Sequence, residues 1–376
     1  MKRGNLSFHE QRSGPVRQTE DRSSQQDIQQ YGSLAYRAGR ILSLLTIASL
    51  LGIGVCLQFG AEPIGFQDMM RIVRQAAIGE ESGMPLGPTK VILLEVRLPR
   101  VLLGFLVGGC LAGVGVVLQA VMRNPLADPY VLGVSSGAAL GSSIAVLFGI
   151  GTSVLALSAL PLCGFVGGIL ALTLVYAMAV TRGELSAPSL LLAGVILNAI
   201  FSALIMFITS IMEPNRSFGM MAWLMGSLSA HVSPGFTVLS LYLFGGLVML
   251  WRDARRLNIM ALGDDMARTL GVDPRQVTRR LFVTSALITG AVVSVSGLIG
   301  FIGMIIPHAA RMVFGADNRL LLPASILIGG LFLVIADTVA RTLLAPTEMP
   351  VGIITALAGG PFFIYLLMRR SLSTRW

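Results

Sequence analysis

Charge is what this sequence has least of. Asp, Glu, Lys and Arg make up 12% of the 376 residues, about half the share of an ordinary soluble domain, so the chain cannot clothe a normal aqueous surface. Lysine is nearly absent, with Lys2 and Lys90 the only two. Neither follows a glycine-rich loop and no G-x-x-x-x-G-K-[ST] occurs, which excludes a P-loop nucleotide site. Cysteine is equally sparse. Cys56, Cys110 and Cys163 lie singly in apolar runs without a C-x-x-C pairing, and read as packing residues. His308 has no Cys, His or carboxylate at ligand spacing, so it reads as a hydrogen-bonded helix-end residue and no metal is assigned to it.

What the chain has instead is apolar length. Hydrophobic residues make up 54% and mean hydropathy is +0.77, more apolar surface than one aqueous core could hide. The net charge of +9 raises the question of nucleic acid. The arginines, however, sit between apolar runs and form no basic stripe with interleaved aromatics, which argues against a nucleic-acid partner and for topology signals.

A bilayer core about 30 Å thick takes roughly 20 apolar residues per helix. The sequence predicts an all-α membrane protein with ten spans at 41–59, 98–122, 130–150, 154–181, 187–211, 235–251, 281–298, 300–314, 320–344 and 350–368. Hydropathy alone leaves 281–314 as one span or two, because Gly297, Gly300 and Gly303 interrupt it. Arginine placement decides. Ten spans with both termini cytoplasmic put 21 of the 28 basic residues inside, whereas nine would send Arg311, Arg319, Arg369, Arg370 and Arg375 outside, against the positive-inside bias. Ten spans also set 2–5 and 7–10 in opposite senses, which permits an inverted repeat. Residues 1–36 are polar and nearly free of aliphatics, and are expected to be a disordered cytoplasmic tail before a membrane domain over 37–376. The first apolar stretch comes too late for an ordinary cleaved signal.

The spans carry almost no ionisable groups. Asp337 and Arg341, at i and i+4 near the outer end of span nine, are expected to pair. Proton-driven transporters usually carry intramembrane relays of carboxylates or histidines, and none is evident here. The longest cytoplasmic connection, about 251–280, contains Leu262, Met266 and Leu270 at i, i+4 and i+8, an apolar stripe. Asp264 and Asp265 stand where a helix dipole favours acids, and Gly271 stops the helix. The pattern predicts a short amphipathic helix outside the membrane, which periodicity alone reads equally as an interfacial helix or as a docking element.

Gly133-Val-Ser-Ser-Gly137 matches the G-x-S-x-G nucleophile elbow, with Ser135 as nucleophile and His308 as its base in an intramembrane serine hydrolase. An elbow needs a strand before its serine. Pro129 and a membrane helix flank this one, so small residues permitting close helix contact are the better reading.

Seven motifs occur in an order that resembles the permeases importing iron-siderophores, haem and cobalamin, the membrane subunits of type II ABC importers (FecCD-type). They are Arg97-Leu-Pro-Arg100, Asn124-Pro-Leu-Ala-Asp-Pro129, Leu190-Leu-Leu-Ala-Gly194, Leu262 to Gly271, Gly300 to His308, Ala336-Asp-Thr-Val-Ala-Arg341 and Glu348-Met-Pro-Val-Gly352. The resemblance implies a permease with no catalytic residues and no bound cofactor, working in the bacterial inner membrane. Its implied partners are a second permease copy, two copies of an ABC ATPase that uses ATP and Mg, and a substrate-binding protein. It assigns ATPase coupling to Leu262, Gly263, Asp264, Asp265, Met266, Ala267, Arg268, Leu270 and Gly271. It assigns the cytoplasmic gate to Asn124, Leu126, Ser186 and Ala187, although Ala187 and Pro188 replace more polar residues of some relatives. Arg97 and Arg341 match outward-facing arginines that pair with a binding protein's glutamates. Local pairing, Arg97 with Glu95 or lipid phosphate and Arg341 with Asp337, is the alternative for both. A ferric siderophore is the implied cargo, with haem and cobalamin as alternatives.

Overall fold

The structure is a computed structural model that describes residues 15–373 apart from 61, 79–86, 151–158, 182, 183, 186 and 229–233. The chain divides into two units, Met1–Leu44 and Leu45–Trp376. Helix α1 runs Pro15–Gln58 and α2 Phe66–Ile78. Next come α3, Pro88–Val91, a π-helical turn over Ile92–Arg97, and α4, Leu98–Val121. A 3-10 turn, Pro129–Leu132, leads into α5, Val134–Leu147, and α6, Ala159–Ala179. A two-residue antiparallel ladder pairs β1, Val180–Thr181, with β2, Glu184–Leu185. Helices α7, Ala187–Ile211, α8, Pro214–Leu224, and α9, Pro234–Arg252, follow, then α10, Ala254–Met260, and α11, Asp264–Thr269. The remainder is α12, Pro274–Ser296, α13, Ile302–Phe314, α14, Asn318–Thr342, and α15, Val351–Ser373.

Seven described helices are long and apolar enough to cross a membrane, and three shorter apolar ones, Val134–Leu147, Ile302–Phe314 and Val351–Tyr365, occupy the other three expected positions. The break inside 281–314 is real. Gly297 has φ 68° and Phe301 φ 71°, and a Cβ at Gly297 would lie 2.1 Å from the Trp223 carbonyl oxygen, so the chain turns where only glycine fits.

Two boundaries differ from expectation for local reasons. Helix α12 starts at Pro274, seven residues before the expected span: Asp273 accepts a hydrogen bond from the Arg275 amide at 3.0 Å and Pro274 fills the first turn, so a capped polar stretch lies ahead of the apolar one. Residues 88–121 form one continuous helical run. Pro99 withholds an amide from the preceding turn, and the wide π-helical turn just before it accommodates that loss. The helix also reaches back to Pro15, through residues whose composition predicts disorder, while residues 1–14 of that tail lie outside the described ones.

Helix α4 is the axis of the core. Its most apolar 18 residues are 83% buried, against 17% for those of Gly235–Arg252, which leaves the latter mostly exposed at the periphery of the chain. Small residues allow this centrality. A Cβ on Gly115 would sit 1.9 Å from the Gly303 carbonyl oxygen, so α4 and α13 touch backbone to backbone there. Helices α5 and α6 meet in the same way, with a Cβ on Gly141 falling 2.3 Å from the Cys163 carbonyl oxygen.

Candidate functional site

The connector between α4 and α5 is a set of short hydrogen-bonded turns. Arg123 takes a left-handed backbone, φ 48°, uncommon for a residue with a Cβ. The Asn124 amide then donates to the Gln119 carbonyl at 3.2 Å and the Ala127 amide to the Asn124 carbonyl at 3.1 Å. Asn124 Oδ1 accepts from the Leu126 amide at 2.9 Å, an Asx turn. Leu126 is left at the tip, 48% exposed. Gln119 ties the base of the turn to α13, its Nε2 donating to the Gly303 and Met304 carbonyls at 3.3 and 3.1 Å.

Asp128 caps the following 3-10 turn, accepting from the Tyr130 amide at 2.7 Å. Its second carboxylate oxygen has no partner among the described residues. Burial pushes the Asp128 carboxyl up to about 6, with the Tyr130 amide opposing the shift. A folded pKa above the unfolded value favours the protonated form, so stability falls as pH rises between the two values, from about 4 to about 6. Asp128→Asn keeps an acceptor for Tyr130 and removes the charge. We expect it to stabilise the protein by up to about 3 kcal/mol at pH 8 and to do nothing below pH 4, as read from thermal unfolding in detergent at both pH values.

A helix stands within the expected stretch as α11 but is only six residues long, because Gly263 at φ 109° breaks the chain after Leu262 and Gly271 at φ 77° follows Leu270, so of the expected i, i+4, i+8 residues only Met266 lies on it. Asp264 and Asp265 occupy its first turn and Arg268 its last. Ala267 is fully buried, whereas Leu262, Met266 and Leu270 are 66%, 52% and 55% exposed. Helix α10, which the sequence reading did not resolve, holds the segment's base. Asp253 is buried and accepts from Arg280 Nε at 2.8 Å and from Arg256. Asn258 bridges to the start of α14, donating to Asp317 and accepting from the Asn318 amide at 2.9 Å.

The structure brings the turn and the segment of α10 and α11 together through a residue the sequence reading left without a role. Arg123 Nη2 donates to the Met260 carbonyl at 3.1 Å and to the Asp264 carboxylate. These groups edge a cavity of about 530 Å³ lined also by Arg268, Arg275 and Arg279. Of the other expected gate residues, Ser186 lies outside the described ones, and Ala187 is the first residue of α7.

At the start of α4 the expectation of two outward-facing arginines is corrected. Arg97 is 4% exposed and Arg341 6%. Arg97 Nη1 donates to the Leu57 and Gln58 carbonyls at 3.1 and 3.2 Å and Nη2 to that of Glu62, so backbone carbonyls, and not Glu95, satisfy it. Arg341 pairs with Asp337 at 3.2 Å and donates to Thr338 Oγ1 at 3.1 Å. Fully desolvating a guanidinium demands such partners. Arg100, quoted in a motif but given no role, is the hub. It grips Asp337 with contacts of 2.9 to 3.1 Å and Glu348 at 2.8 Å. The signal available in sequence was only its place beside Arg97, because its partners lie 237 and 248 residues away.

The hydrolase alternative fails on local structure. Ser135 is 3% exposed in the first turn of α5, a 3-10 turn stands where an elbow has its strand, and a Cβ on Gly137 would lie 2.3 Å from the Ala171 Cβ. The G-x-S-x-G spacing is a helix-packing pattern.

Comparison with known proteins places these features. Residues 41–369 match the model of the FecCD transport family. The hemin transport system permease protein HmuU of Yersinia pestis is 43% identical over 281 residues, 74% of this chain and 84% of that protein. The cobalamin import system permease protein BtuC of Halobacterium salinarum is 44% identical over 287 residues, 75% of each. A solved inward-facing structure, described as a metal-chelate type ABC transporter, superposes with a TM-score of 0.75 at 31% identity, covering 88% of this chain and 99% of that one.

Proposed function

This chain belongs to the FecCD transport family, and on that premise we propose that it is the pathway-forming subunit of an importer for a bulky metal chelate. It is a multi-pass permease and not an enzyme, and a separate ATPase hydrolyses the ATP. In our reading two copies of that ATPase use ATP and Mg, and a second copy of the permease completes a pathway along a two-fold axis in the inner membrane, both termini being cytoplasmic. A binding protein delivers cargo at the opposite face, where α4 begins.

The observation that carries the reading is the exposed apolar trio at α11, with Met266 on the helix and Leu262 and Leu270 flanking its two ends, while Ala267 on the same helix is buried. Apolar side chains displayed outside the membrane mark a contact surface. The turn at Asn124 and Leu126 would close the pathway between the two copies, with Ser186 and Ala187 as the second closure. Buried Arg97 and Arg341 would then act on the binding protein by fixing the shape of the face it meets.

Cargo identity is tested by uptake into proteoliposomes holding permease, ATPase and binding protein, with a ferric siderophore, haem and cobalamin as separate arms. We expect ATP-dependent accumulation of one of them, the ferric siderophore being the favoured cargo. Accumulation of none would overturn the metal-chelate assignment.

A further inference from the structure

We infer that Arg123 is a strut which transmits movement of the coupling helix to the Leu126 turn, a positioning role that rests on the gate and coupling reading above. One guanidinium nitrogen grips both sides of the link between α10 and α11. The Met260 carbonyl ends α10 and the Asp264 carboxylate begins α11. Between them lies Gly263, and beyond α11 lies Gly271, both at positive φ, so α11 is a short rigid piece hung between two glycine positions. Its neighbours are fixed, α10 through Asn258 to α14 and α12 through Arg280 to Asp253. Arg123 thus connects this glycine-bounded piece with the turn that must open.

At the other end of the strut, Arg123 leads directly into the turn. Its left-handed backbone sets the direction of Asn124, whose amide and side chain lock the turn to Gln119 and Leu126. A push on the guanidinium therefore moves the turn as one body against the Gln119 anchor on α13. The ion pair is 55% and 56% exposed on its two sides. Such pairs contribute little to stability, so removing it should spare the fold.

The test uses the full transporter with ATPase and binding protein, in a chain whose three native cysteines are replaced and which carries Leu126→Cys. The readout is the rate of labelling at position 126 by a membrane-impermeant maleimide, without nucleotide and after trapping with ATP and vanadate. We expect the parent rate to differ between the two conditions by about fivefold or more. Adding Arg123→Gln should leave ATPase bound in equal amount and abolish that difference. A difference as large as the parent's would overturn the strut. Failure of the underlying reading has separate signatures: a parent that shows no nucleotide response, or a Leu262→Asp/Leu270→Asp control that still binds ATPase.

Discussion

Leu262→Asp/Leu270→Asp should lose ATPase binding by about a hundredfold or more, because burying each leucine against a partner is worth about 1.5–3 kcal/mol. Both side chains are more than half exposed, and neither supports the described core, so the permease should still purify folded. Co-purification of the ATPase and ATP-driven uptake are the two measurements. Wild-type values for both would show that α11 is an interfacial helix on lipid and that the ATPase contacts another surface.

Asp337→Ala is expected to be the most destabilising single change, by about 3–5 kcal/mol. The carboxylate is 3% exposed and is shared by Arg100 and Arg341, themselves 13% and 6% exposed at the side chain. Its loss leaves Arg341 without a countercharge and Arg100 with Glu348 alone. Glu348 occupies the solvent side of the same network, 57% exposed, so Glu348→Ala should cost no more than about 1 kcal/mol. Thermal unfolding of the two variants in detergent compares them. Equal effects would mean that the cluster is dispersed in water and that burial does not set its strength.

These two sites differ in how far the sequence disclosed them. The stripe at Leu262, Met266 and Leu270 was legible because helical period, acidic first turn and terminating glycine all fall within ten residues. The Asp337 and Arg341 pair was legible for the same local reason, at i and i+4. Arg100, Arg123 and Gln119 were not, since each acquires its role from a group on a helix more than 130 residues away. Span count came from hydropathy and arginine placement, and the break before Ile302 from Gly297, Gly300 and Gly303, whereas the shortness of α5, Val134–Leu147, was not anticipated. What hydropathy missed was polar helix: the first turns of α12 and the start of α10, at Arg255 and Arg256, carry arginines, yet Asp273 caps one and Asp253 anchors the other. The burial of Arg97 was hidden because the carbonyls that receive it belong to the end of α1 and the chain just after it, and such acceptors leave no mark in sequence.

The central claim is that two copies of this chain enclose the pathway, with the turn after α4 closing it. The most direct measurement is disulfide or bifunctional-maleimide crosslinking of Leu126→Cys in the assembled transporter, across nucleotide-free, ATP-bound and vanadate-trapped conditions. The account predicts a crosslinked permease dimer in at least one of these conditions and its loss in another. A chain that crosslinks in none of them, while cysteines placed elsewhere on the permease interface do, would contradict it.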